Sequence, residues 1–189
     1  MKRLFSDALY VFTCVLPVLF LTSSAFSALA VILAVFLALL LSLGTRFAVP
    51  LLVPHAAERT VLFIAAATGV SLAAIIVKFF PGMEGTALYY MPLCLGSAFL
   101  LLQKRETGGS KVLEVLSAVR LFSMFSVLVM AMGIIRELFG AGRFFTLPIT
   151  VNLLPPMEAF SKPTGALLIA ALVFAVFSFF AEKEGGKNE

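Results

Sequence analysis

From Ala8 to Leu43 the chain carries no charged residue. At 1.5 Å per residue one straight helix over that stretch would run about 54 Å, against roughly 30 Å of hydrocarbon in a bilayer. The run must therefore fold back, and the small hydroxyl residues Thr22, Ser23 and Ser24 supply the turn. A first segment then spans about Leu4 to Leu21 and a second about Ala25 to Leu43. Pro17 lies inside the first, where it removes a backbone hydrogen bond and clashes with the preceding turn. Such a break is tolerated at membrane depth only where protein or a cavity covers it.

Composition extends that reading to the whole chain. Of its 189 residues, 61% are hydrophobic and 13% charged, with a mean hydropathy of +1.10; soluble domains average about 45–50% and about 25%. The pattern predicts an all-α integral membrane protein, a single domain over 1–189 with no soluble unit and room for about six transmembrane helices in a lipid bilayer. Lys2, Arg3 and the small residues near Ser24 to Ala28 mimic a secretory leader. Asp7 and the second apolar run argue that this segment stays in the protein.

The remaining spans are predicted at about Thr60–Phe80, Thr86–Leu102, a helix from an N-cap at Ser110 to about Leu138 with its stop at Gly140 or Gly142, and Thr164–Ala181. Phe144 to Lys162, with three prolines and two charges, reads as a re-entrant or interfacial segment, and 182–189 as a polar, disordered tail. Lys and Arg occur singly or in pairs between apolar runs, without a basic stripe carrying aromatics, so nucleic acid is not an expected partner. With the amino terminus inside, ten of the 14 basic residues fall in cytoplasmic segments and four, Lys78, Arg136, Arg143 and Lys162, outside. Both termini are therefore expected in the cytoplasm, the chain being multi-pass in a bacterial-type inner membrane.

A second apolar run, Tyr89 to Gln103, repeats the opening one by placing Pro92 and Cys94 close together. The six spans then divide into halves over approximately 4–80 and 86–181, the first helix of each half broken. Because three is odd, the halves would enter from opposite faces as inverted repeats, and paired broken helices point to a working site between them.

Few residues in this chain can do chemistry. Cys14 and Cys94 are its two thiols; thiolates suit zinc and iron–sulfur sites, while free cysteines also serve as small apolar packing residues. His55 has no second histidine to form a metal site. Arg136 and Glu137 close the fifth helix, and Glu158 and Lys162 flank the last apolar segment; such charges can line an ion path or simply end a helix. No Gly-rich phosphate loop, Ser/His/Asp set or carboxylate pair is present.

Three stretches resemble the Rnf/Nqr family of six-span membrane subunits, specifically its RnfE/NqrD-like branch. They are Leu16-Pro17-Val18-Leu19-Phe20-Leu21-Thr22-Ser23, Met91-Pro92-Leu93-Cys94-Leu95-Gly96-Ser97-Ala98, and Ile135-Arg136-Glu137-Leu138-Phe139-Gly140-Ala141-Gly142 with Leu153-Leu154-Pro155-Pro156. The last pairing is the most specific. The resemblance implies a subunit of an ion-translocating electron-transport complex, coupling electron transfer to Na⁺ or H⁺ movement beside a sister six-helix subunit and other membrane subunits. It also implies a [2Fe–2S] cluster shared with that sister. Aligned on the prolines, the family's cysteine positions fall on Leu16 and Ala98 here, displaced from Cys14 and Cys94, so this chain alone is expected to bind a cluster weakly or not at all. Two other functions fit the size: a six-span substrate-binding transporter subunit, and a degenerate paralogue acting only as a scaffold.

Overall fold

A computed structural model describes residues 2–48, 57–79, 91–103, 111–144, 147–148 and 157–185. Helix α1, Lys2–Val15, stops where the proline predicts. Pro17 has no N–H to offer the Thr13 carbonyl, and the backbone tightens into a 3₁₀ turn over Leu16–Val18. Leu21 N–H then bonds to the Val18 carbonyl at 3.0 Å and Ser23 N–H to the Leu21 carbonyl at 2.9 Å. Ser24 starts the return helix, α2, Ala25–Ala48. Its Oγ accepts the Ser27 N–H at 3.1 Å, while the Ser27 Oγ accepts the Ser24 N–H at 2.8 Å. This is a reciprocal capping box with serine in the place usually taken by glutamate.

Helix α3, Glu58–Val77, lies along α2. Ala65, Ala66, Gly69, Val70 and Ala73 are buried on α3, and Val31, Ala34, Val35, Ala38 and Ser42 on α2. Small side chains let the two backbones touch: a Cβ added at Gly69 would stand 2.5 Å from the Ala38 Cα. In a bilayer, where burial of apolar surface gives helices little reason to associate, such close van der Waals packing holds them together. The opposite face of α3 carries Phe63, Ile64, Leu72 and Ile75, all exposed, as a lipid-facing surface would be.

Helix α4, Leu93–Gln103, is the short one. Its 11 residues reach about 16 Å, roughly half the hydrocarbon thickness. Helix α5, Lys111–Arg136, is the central strut. It buries Ala118, Leu121, Phe125, Val129 and Met132 at three- and four-residue spacing, the stripe that an α-helix turns toward a core. Past Arg136 it widens into a π turn over Glu137–Ala141, which ends at Gly142 in the left-handed region, φ 62°. The predicted glycine stop is thus Gly142, where a side chain would be strained. A two-residue antiparallel pair, Arg143–Phe144 with Leu147–Pro148, follows. Helices α6, Glu158–Ser161, and α7, Pro163–Gly185, complete the described elements.

Three helical stretches, Ala25–Ala48, Glu58–Val77 and Val112–Ala141, are long and apolar enough to cross a membrane, as in an integral membrane protein. Asp7–Val18, Leu93–Gln103 and Thr164–Ala175 are shorter apolar helices. One expectation needs correction: the polar tail is not wholly irregular, because Glu182 to Gly185 continue α7. The chain enters the tail already helical, and Glu182, Lys183 and Glu184 are good helix formers that extend it. The predicted N-cap Ser110, His55 and the Leu153–Pro156 motif lie outside the described residues.

Candidate functional site

The two proline–cysteine elements pack against each other. Gly96 of α4 sits over Pro17, so that an added Cβ would meet the proline ring in ordinary contact at 3.9 Å. One helical turn beyond, the Tyr10 hydroxyl donates to the Leu100 carbonyl at 2.6 Å, tying α1 to α4. Cys14 and Cys94 are both fully buried and belong to the same core. The two positions that the family alignment marks differ: Ala98 is buried on α4, whereas Leu16 is 41% exposed on the outer side of the break. Cys14 and Leu16 therefore face opposite ways, as two residues two apart on a helix must.

The thiols set a limit on cofactor chemistry. A [2Fe–2S] cluster takes four cysteine ligands, or two with two histidines, and the whole chain has two cysteines and one histidine. Among the described residues no group of three or more His, Cys, Asp and Glu is placed to hold a metal ion. The residues present do not fit a cluster held by this chain alone. Beside Cys94 on α4 lies Ser97, whose hydroxyl is buried with no hydrogen-bond partner. Serine inside an apolar run was the available signal for it, and the run alone does not say whether such a hydroxyl is bonded.

Arg136 and Glu137 turn out to serve the break in α1. The Arg136 side chain is 1% exposed, and its Nη1 donates to the carbonyls of Leu19 and Thr22 at 2.9 and 2.8 Å. Those carbonyls end the first helical segment; that of Leu19 also accepts the Thr22 hydroxyl at 2.9 Å. On its other side the guanidinium reaches the carbonyls of Phe160 at 3.3 Å and Lys162 at 3.4 Å. Glu137 Oε2 accepts the Ala25 N–H at 2.7 Å, placing a carboxylate at the positive end of α2. Cation on carbonyls and anion on a helix N-terminus are the charges each backbone end calls for. Gly133, one turn earlier on α5, lets the helix come this close: an added Cβ there would stand 2.7 Å from the Ala28 Cβ.

Of the other charges singled out in the sequence, Lys162 is exposed, and Glu158 begins α6. A second set of charges gathers at the opposite end of the bundle. Arg46, ending α2, lies 3.1 Å from Glu114 of α5 and 3.8 Å from Glu58 of α3, and Arg120 pairs with Asp7 of α1. Sixteen residues of α5 separate Arg120 from Arg136, about 24 Å of helix. Charged side chains thus cap an apolar middle at both ends, which suits a body seated in hydrocarbon. The chain matches no protein-family model, no curated protein and no solved structure.

Proposed function

We propose that the chain is a membrane subunit of an Rnf/Nqr-like ion-translocating electron-transport complex, coupling electron transfer between carriers to Na⁺ or H⁺ movement. The observation that supports the reading is the contact of Gly96 with Pro17, which brings the two proline–cysteine elements together, with both thiols buried in one core. Midplane sites in membrane carriers are built from broken helices of this kind. In this reading six spans form two inverted repeats, with both termini in the cytoplasm. A sister six-helix subunit pairs with the chain, and a [2Fe–2S] cluster shared between them would draw on Cys14 and Cys94 once pairing uncovers these buried thiols. Arg136 and Glu137 border the ion path where it passes the α1 break.

Mild solubilisation of native membranes followed by affinity purification tests the proposal. Redox subunits and a six-span sister should come down with the chain. Recovery of the chain with no redox partner overturns the reading. Thermal stabilisation of that lone chain by a small metabolite would instead identify a substrate-binding transporter subunit, and no ligand response at all a scaffold.

A further inference from the structure

Three segments that interrupt or end the long helices meet around Arg136. They are the α1–α2 hairpin at 16–24, the π turn Glu137–Ala141, and the 157–163 connection into α7. Arg136 stands at the first residue before the π turn and holds both other segments by backbone carbonyls, Leu19 and Thr22 on one side, Phe160 and Lys162 on the other. π-helical turns inside long helices recur where a protein places functional groups. Glu137 adds a tie to the hairpin, through the Ala25 N–H. The 157–163 connection has its own tie to the π turn, since Met157 N–H donates to the Phe139 carbonyl at 3.1 Å.

From this connectivity we infer that Arg136 is a latch coupling the proline-broken hairpin of α1–α2 to the start of α7, so that a displacement of either segment is felt by the other. The physical basis is the cost of stranding bonds on a buried charge. If the hairpin moves away, Arg136 loses two carbonyls and must turn toward those it still holds, or lose them as well. At 1% exposure it has little room to do so. The segments it joins are closely packed as well, with Gly133 against the Ser24 carbonyl and Gly165 against the Ala159 carbonyl. Packed surfaces so close shift between discrete arrangements in place of bending smoothly. The latch does not depend on redox chemistry, and it would serve a carrier of any kind whose broken helix has to move with a neighbouring span.

Hydrogen exchange of the full-length protein in lipid nanodiscs tests it, comparing wild type with Arg136→Gln and Glu137→Ala. In Arg136→Gln, amides at 16–24 and at 157–165 should exchange together about tenfold faster, the factor expected when a buried charged hydrogen bond is lost. The α2–α3 contact around Ala38 and Gly69 should keep its rate. Glu137→Ala, which removes the bond from the Ala25 N–H, should speed the amides of the hairpin and the first turn of α2 and leave 157–165 unchanged. Faster exchange at the hairpin alone in Arg136→Gln overturns the latch, as does no change at either segment. A uniform rise that includes Ala38 and Gly69 overturns it too, because it marks a general stabilising role. Arg136→Lys keeps the charge with fewer donors, giving a milder variant that should reproduce the same two-segment pattern if the glutamine variant does not fold.

Discussion

Glu137 Oε2 lies 2.7 Å from the Ala25 nitrogen, although 112 residues separate the two in sequence. The carboxylate is buried, and it closes the amino-terminal end of α2 just where the chain has turned after Ser24. A helix N-terminus buried in apolar surroundings leaves N–H groups with no water to bond, and one acceptor from a distant helix meets that need.

Glu137→Gln keeps an oxygen acceptor and should cost about 1 kcal/mol, whereas Glu137→Ala, which strands the Ala25 N–H, should cost about 2–3 kcal/mol. Chemical denaturation of the protein in detergent micelles measures both. Equal losses for the two variants would mean that the charge, and not the hydrogen bond, matters at this position.

Gly69→Val should be among the most damaging single substitutions on α3. A Cβ there would meet the Ala38 backbone, and separating α2 from α3 to fit it should cost about 2–3 kcal/mol. Gly44→Ala is the control, since nothing stands within 4 Å of a Cβ at that position, and a helical alanine is favoured over glycine by about 1 kcal/mol. The melting temperatures of the two variants should therefore move in opposite directions from wild type.

Arg46 reaches two acidic residues on two different helices, and its ion pair with Glu114 is more enclosed than the Asp7–Arg120 pair, in which the Arg120 side chain is 56% exposed. A double-mutant cycle on Arg46 and Glu114 should give a coupling of about 1 kcal/mol, and the cycle on Asp7 and Arg120 less, with the latter fading in high salt. A larger coupling at the exposed pair would reverse this order.

Ser97→Ala removes a buried hydroxyl that has no partner. The substitution should be neutral or stabilise the protein by up to about 1 kcal/mol, because an unsatisfied polar group disfavours the folded state. Ser97→Cys, of similar shape, should behave alike. A marked loss of thermal stability in the alanine variant would show that the hydroxyl bonds to something in the membrane-embedded protein.

Much of the fold is written locally. The uncharged run from Ala8 to Leu43 has to fold back, Pro17 has to interrupt α1, and Ser24 is a natural start for α2; each follows from bilayer thickness, a missing N–H or a side-chain oxygen. The α5 stop at Gly142 is legible in the same way, because glycine tolerates the left-handed geometry that ends the π turn. Legibility fails for α4, whose described helix begins at Leu93 and not earlier in the apolar run. Hydropathy marks an apolar stretch without saying how much of it is helical, and Pro92 disfavours helical geometry for the residue before it.

The candidate site divides along the same line. The sequence by itself determined the break at Pro17, the placing of two thiols in apolar runs and the presence of Arg136-Glu137 at a helix end, since residue type and spacing act over a few positions. Only the tertiary structure decided what those parts meet. It seated Pro17 under Gly96, turned Leu16 outward while Cys14 faces the core, and delivered Arg136 and Glu137 to the carbonyls and N–H of a hairpin more than a hundred residues away. A backbone group left unpaired by a proline asks for a partner of known charge. Which residue answers depends on how the helices pack, and packing is set by the small residues Gly69 and Gly133, where two backbones come together.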